Sequence, residues 1–206
     1  GTSKAPRKKI MLVSHMDAIG LMVRRVHHGF LYVTQIGGVD ARVMPGQPVF
    51  VHGKETLQGI VASTPPHLLS ASDREKAVQL DDLIIDVGLP AEEVSRLVKV
   101  GDLISYGQPP FEMQGDLLVA KSLDNRASVA AVTACLDALK DRPHRWDVVA
   151  VATAQEEITY GGAYASAFGV RPDLAIVIDV THGAMPGIPE HKTSPVGEGP
   201  TIGWGP

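Results

Sequence analysis

The hydrophobic positions follow two patterns along the chain. Three continuous aliphatic runs, at residues 10–13, 148–154 and 174–178, predict fully buried strands of a parallel or mixed sheet with helices on both faces. Residues 126–140 show the apolar periodicity of an amphipathic helix, and a shorter helical stretch surrounds residues 163–168. The order strand, helix, strand, helix, strand predicts an α/β layer.

The middle of the chain has a different pattern, in which short apolar runs alternate with turn residues and a single short helix is predicted at residues 91–98. The runs lie at residues 30–36, 48–52, 57–62, 83–87 and 103–106. Many short strands separated by turns are typical of a small barrel or sandwich. We therefore predict an α/β domain, residues 1–20 and 108–206, interrupted by an inserted small β-barrel-like domain, residues 21–107.

Composition excludes several classes of protein. The 206 residues are 44% hydrophobic and 20% charged, as in an ordinary globular protein. A net charge of −4 gives no electrostatic support for a nucleic-acid partner, and no apolar stretch approaches the length that crosses a membrane. The single cysteine, Cys135, is compatible with a reducing compartment, so we expect a cytoplasmic protein; we also expect Cys135 in the core, on the apolar side of its helix.

Acidic and histidine side chains stand just beyond the aliphatic runs. They are His15, Asp17, Glu156, Glu157 and Asp179. In open α/β sheets the ligand crevice lies beyond the carboxyl ends of the strands, so these groups should converge if the three strands are neighbours. Asp124 joins them if a strand predicted at residues 117–121 belongs to the same sheet.

The repulsion between the charges of such a cluster limits the functions that it can have. Two like charges about 4 Å apart repel by roughly 4 kcal/mol at an effective dielectric constant near 20, so the carboxylates must take up protons or hold cations. The nearby imidazole of His15 favours a divalent transition metal such as zinc. By strand alternation Asp17 shares a side with His15 and can orient its ring. Of the adjacent Glu156 and Glu157, one can bind metal while the other acts as a general base.

Each of these groups also has a separate structural explanation. Asp124 could cap the helix that follows it, the glutamate pair could form a solvated turn, and His15 could simply be hydrogen bonded. Asp179 is harder to explain in this way, because a charge directly after an aliphatic run needs a partner. Taken jointly, the strand-end positions favour the metal site.

Five stretches carry a resemblance to a known family. They are HMDAIGLMV at 15–23, IGGVD at 36–40, LDNR at 123–126, QEE at 155–157 and IDVT at 178–181. In this order, and over nearly the whole chain, they resemble the M42 family of metal-dependent aminopeptidases, which includes glutamyl aminopeptidases and the tetrahedral (TET) peptidases. The resemblance implies a catalytic α/β domain interrupted by a dimerisation domain.

The resemblance also implies a reaction and a set of site residues. N-terminal residues would be released from peptides by a metal-bound hydroxide at a site for two divalent ions per full-length subunit, with zinc or cobalt expected. The implied metal ligands are His15, Asp124, Glu157 and Asp179. Asp124 would bridge the two ions, Glu156 would be the general base, and Asp17 would orient His15.

Further expectations concern partners and alternatives. Family members form dimers through the inserted domain and often dodecamers, so a homo-oligomer acting on peptides is expected.

The family's chain extends beyond both ends of this one, and its C-terminal part carries another histidine ligand; we assign that role to neither His182 nor His191, which we expect in exposed loops. One alternative is a catalytically incomplete member that acts as an assembly or binding protein. Another, a glycosidase with paired carboxylates, would leave the histidine without a purpose.

Overall fold

The computed structural model describes residues 6–203, so residues 1–5 and 204–206 of the predicted terminal segments lie outside it. Three strands form a sheet: β1 (Lys9–His15), β10 (Asp147–Thr153) and β11 (Leu174–Val177). Six form a closed barrel: β2 (Gly20–His27), β3 (Phe30–Ile36), β4 (Pro48–His52), β5 (Thr56–Ser63), β6 (Leu83–Asp86) and β7 (Leu103–Tyr106). A hairpin contains β8 (Phe111–Met113) and β9 (Leu117–Val119). The helices are α1 (Ala71–Arg74), α2 (Ala91–Leu97), α3 (Leu123–Leu139), α4 (Glu156–Thr159) and α5 (Gly161–Val170).

The predicted α/β fold class with a barrel-like insertion is confirmed. The sheet has the order β10-β1-β11 and its strands are parallel. β1 pairs with β10 along its whole length, from Lys9 opposite Asp147 to His15 opposite Thr153. Consecutive residues of β1 are buried, so both faces of this central strand are covered. The carboxyl ends of β1 and β10 therefore finish side by side.

Burial in the rest of the layer differs from the prediction. All four residues of β11 are exposed, with Val177 at 73%, because β11 is an edge strand that pairs only with β1 among the described residues. In β10 only Thr153 is fully buried. The expectation that all three aliphatic runs are fully buried is therefore wrong: an aliphatic run predicts a strand, whereas its burial depends on what packs against it.

Helix α3 confirms the predicted helix but not the predicted burial of Cys135. The residues that it buries are Asn125, Ser128 and Val132, at the spacing of one helix face. Cys135 is exposed, so its expected place in the core is wrong. The two polar residues on the buried face come first in the helix, where α3 meets the end of the sheet.

The barrel closes because β7 pairs with both β2 and β4. Inward-facing aliphatic residues from its strands, together with Val94 and Leu97 of α2, form one buried cluster. The turn between β2 and β3 contains His28 and Gly29, both in the left-handed conformation that a two-residue hairpin turn requires. The barrel strands run from Gly20 to Tyr106, and the division into domains at residues 20/21 and 107/108 stays a prediction.

Two further findings bear on the predictions. The strand expected at residues 117–121 is shorter, as β9, and within the described chain it pairs only with β8, so its assignment to the main sheet is wrong. A three-residue strand ending before Lys121 leaves the chain free to turn into α3. None of the helices within residues 6–203 has the length and apolarity needed to cross a membrane.

Candidate metal centre

The sheet brings three chain segments to one edge. His15 is the last residue of β1 and is only 3% exposed. Glu156 and Glu157 begin α4, directly after β10, and Asp179 follows β11. The backbone N–H of Ile178 donates to the carbonyl of Val13, which holds the end of β11 against β1. Parallel pairing around a central strand is thus what assembles these groups.

One imidazole nitrogen of His15 faces three carboxylates. Its Nε2 lies 3.0 Å from Asp124 Oδ1, 3.7 Å from Glu156 Oε2 and 3.8 Å from Asp179 Oδ2. Glu157 completes the cluster: ligand atoms of His15, Asp124 and Glu157 all lie within 4.8 Å of one another. The same spacing holds for His15, Glu156 and Asp179. Two groups of three ligands therefore share one histidine.

Asp17 lies on the other side of the ring. Its Oδ1 is 3.4 Å from His15 Nδ1, and its backbone carbonyl is 3.3 Å from the same nitrogen. The two oxygens of its carboxylate also accept the backbone N–H groups of Glu156, at 3.2 Å, and Glu157, at 3.3 Å. Asp17 thus faces the nitrogen that points away from the cluster and also fixes the first turn of α4.

Asp124 reaches the cluster by a route that strand order did not predict. Asn125 is fully buried, and its Nδ2 donates to the carbonyl of Ile178 at 2.9 Å. Arg126 Nε donates to the carbonyl of Met16 at 3.4 Å. These bonds tie the start of α3 to the ends of β11 and β1, although β9 is not part of the sheet. Asn125 was not identified from the sequence as a site residue. Its position directly after the candidate ligand Asp124 was the feature that could have indicated it.

The charges perturb one another. Burial raises the pKa of Glu156, and the neighbouring carboxylates of Asp179 and Asp124 raise it further against an opposing effect of His15. The pKa of Glu157 is raised by burial and then by Asp124. Burial alone would lower the pKa of His15, but the surrounding carboxylates outweigh it and that pKa is raised. The cluster therefore holds more negative charge than it tolerates without protons or cations.

The donor set fits a divalent metal ion. Atoms that coordinate one zinc ion at about 2.0–2.2 Å lie within about 4.4 Å of each other, and both groups of three approach this spacing. Imidazole and carboxylate oxygen together suit zinc and its neighbours in the periodic table. A cation would also relieve the repulsion that raises the carboxyl pKa values.

Five of the six residues predicted for the site form this cluster, and the sixth, Asp17, contacts His15 from the other side of the ring. His182 and His191 are both exposed, as expected. His182 nevertheless lines a cavity of about 290 Å³ together with His15, Glu156 and Asp179, whereas His191 lies in a short 3₁₀ helix, Glu190–Lys192. His182 therefore lies at the edge of the site. Its place three residues after Asp179 in the sequence was only a weak indication of this.

A family model described as M42 glutamyl aminopeptidase matches residues 1–205. The chain belongs to the M42 family. The chain spans between 50% and 60% of the length of five curated relatives that it matches. One of these, a lysyl aminopeptidase from Pyrococcus furiosus, is 30% identical over 98% of this chain and 60% of its own.

Solved structures of similar proteins agree with the M42 fold. A TET aminopeptidase from the marine sediment archaeon Thaumarchaeota archaeon SCGC AB-539-E09 superimposes with a TM-score of 0.90 at 33% identity, covering 96% of this chain and 58% of its own. The TET1 peptidase of Pyrococcus horikoshii, described as assembling into a tetrahedron or a large octahedral shell, gives 0.79 at 31% identity, covering 87% and 55%. The α/β layer and barrel are thus shared with known peptidases.

Proposed function

We propose that the protein is a metal-dependent aminopeptidase that hydrolyses N-terminal residues from peptides. The observation that carries the proposal is the environment of His15, whose Nε2 faces three carboxylates while its Nδ1 faces Asp17. Membership of a family whose relatives are named aminopeptidases supports the same reaction. A structural role alone would not explain why so many acids surround one buried imidazole.

Two divalent ions, zinc or cobalt, are proposed for the cluster. The ligands would be His15, Asp124, Glu157 and Asp179, which all lie in the two groups around His15; the sharing of Asp124 between the ions is what the resemblance to the M42 family implies. When bound, such ions lower the pKa of water and polarise a scissile carbonyl. Asp17 would keep the His15 ring in the tautomer whose Nε2 lone pair faces the cluster, since its carboxylate and carbonyl both lie near Nδ1.

Glu156 is proposed as the general base. Its backbone N–H is held by Asp17, and its carboxylate reaches the cluster beside Asp179 and Asp124. Burial and these neighbours raise its pKa, which suits a carboxyl group that must accept a proton from the attacking water and return it to the leaving amine. Glu157, one residue on, belongs instead to the group formed with His15 and Asp124.

The proposal extends to assembly and location. The TET1 peptidase of Pyrococcus horikoshii is described as assembling into a tetrahedron or a large octahedral shell, and this supports a homo-oligomer, either a dimer through the barrel or a dodecamer. Apolar side chains on the outside of the chain, among them Tyr164, Phe168 and Val177, offer surface for such contacts. A single cysteine accords with a cytoplasmic location.

Turnover of leucine p-nitroanilide by the metal-loaded protein tests the function. We expect Glu156→Gln to reduce kcat by at least about 100-fold while metal content is retained, since a general base contributes about 10²–10⁴. Glu55→Gln, in the exposed turn between β4 and β5, is the matched control and should retain full activity. EDTA should abolish turnover. Full metal occupancy without any hydrolysis would favour the assembly or binding protein instead.

A further inference from the structure

A groove beside the proposed metal centre lies between the barrel and the start of α3. Two adjacent cavities, of about 310 and 270 Å³, form it. They share the lining residues Ala18, Ile19, Tyr106, Lys121 and Ser122. The first cavity also contains Asp124 and Glu157, whereas the second extends to His52 and Arg126. The groove therefore begins at the proposed metal ligands and leads away from them along the barrel.

The two ends of the groove differ in charge. Two carboxylates, Asp124 and Glu157, line the cavity at the metal centre; Lys121 lines both cavities, and Arg126 lines only the farther one. Lys121 is exposed and forms no ion pair with any residue between 6 and 203. Arg126 donates only to a backbone carbonyl, that of Met16. Two cationic groups thus face the groove without a carboxylate partner from the described chain.

The chain turn at this point adds hydroxyl groups. Ser122 has φ 61°, a left-handed conformation that few residues other than glycine adopt, and its hydroxyl does not cap α3 although it occupies the cap position. This conformation turns the chain so that Lys121, Ser122 and Asp124 all border one cavity. Tyr106, at the end of β7, lines both parts of the groove. Two residues with hydroxyl groups, Tyr106 and Ser122, thus line the same cavities as Lys121.

We propose that Lys121 binds a substrate carboxylate on the leaving side of the scissile bond, with Ser122 and Arg126 beside it. This inference rests on the proposed aminopeptidase function. A peptide with its amino terminus at the acidic cluster and a carboxylate farther along matches the charge order of the groove. A separate cavity, which contains Asp179 and His182 and shares Asp124 with the groove, leaves room for the first side chain.

Two kinds of substrate present such a carboxylate. In a dipeptide it is the C-terminal group, and in a longer peptide it is an acidic side chain at the second position. The zinc-loaded protein should cleave Leu-Leu with a kcat/KM about tenfold above that for Leu-Leu-amide, or Leu-Glu-amide about tenfold above Leu-Gln-amide, as one charge-assisted hydrogen bond predicts. Whichever pair shows the difference identifies the source of the carboxylate.

The variant Lys121→Gln should reduce that ratio to about one, mainly through KM, while bound zinc stays constant. Lys140→Gln, just after the far end of α3, is the matched control and should keep the wild-type ratio. Three results would overturn the subsite: the wild-type protein cleaves both members of each pair with equal kcat/KM, the preference persists in Lys121→Gln, or that variant loses its zinc. A preference for an acidic first residue that disappears in Lys121→Gln would also overturn it. Failure of the wild-type protein to cleave any substrate would overturn the aminopeptidase function itself.

Discussion

The barrel and the α/β layer bury different kinds of residue. The buried residues of the barrel and its helix are hydrophobic, and they include the fully covered Val23, Leu31 and Ile85. The buried polar residues of the described chain all belong to the α/β layer: Ser14, His15, Asn125, Ser128 and Thr153. Two of these, Ser14 and Asn125, have a buried oxygen without a hydrogen-bond partner in residues 6–203. The barrel thus buries apolar side chains alone, whereas the layer buries polar side chains together with the apolar Met11, Leu12, Val13 and Val132.

This difference separates stability from chemistry. Apolar burial stabilises a fold in proportion to the area removed from water, whereas buried polar groups and like charges cost free energy unless something binds them. The barrel has a closed ring of strands and no free edge. The layer has an exposed edge strand and an acidic cluster around His15. We therefore expect substitutions in the two regions to change the free energy of unfolding by different amounts and in different directions.

The largest effect is expected in the barrel core. Ile85→Ala should lower the free energy of unfolding by about 2–5 kcal/mol, since it removes a fully buried side chain and leaves a cavity. Ile60→Ala is the matched control: Ile60 lies on the neighbouring strand β5 but is 50% exposed, so its loss should cost less than about 1 kcal/mol. Urea unfolding in EDTA measures both. Equal losses would mean that the barrel interior is not the main apolar core.

A smaller effect is expected where α5 meets the layer. A methyl group on Gly162 would overlap the backbone of Ala154, whose carbonyl accepts the Gly162 N–H. Gly162→Ala should therefore cost about 1–3 kcal/mol. It should also reduce activity, because Glu156 and Glu157 lie between the two residues. Gly169→Ala, in open space on the same helix, should instead stabilise by up to about 1 kcal/mol. If both variants change the free energy of unfolding in the same direction, the close approach of α5 to the end of β10 is contradicted.

The sequence predicted the barrel well because its signals are local. Strands β3, β4 and β7 match the expected ranges, since turn residues limit each short run on both sides. The predicted site residues also converge, because a strand end can be recognised from an apolar run. In both cases a few neighbouring residues hold the information.

Long-range packing could not be predicted in this way. The exposure of β11 depends on which segments cover it, and neither Leu174 nor Val177 carries that information itself. The assignment of β9 to the main sheet failed, yet Asp124 still reaches His15, because Asn125 anchors α3 to the carbonyl of Ile178. Lys121 was not recognised as a candidate, since the groove forms only when the barrel packs beside α3.

The smallest effect should have the opposite sign to those in the core. In metal-free protein Glu157→Gln removes one of several like charges and should raise the free energy of unfolding by about 1 kcal/mol, as charges a few ångströms apart predict at high effective dielectric. Because the pKa of Glu157 is raised, the folded state binds more protons than the unfolded state just above pH 4.5. Stability of the wild-type protein in EDTA should therefore fall as pH rises through that raised pKa, and the variant should fall less. Adding zinc should make the wild-type protein the more stable of the two, since the variant lacks a ligand. If Glu157→Gln instead lowers the free energy of unfolding in EDTA, charge repulsion is not what destabilises this site.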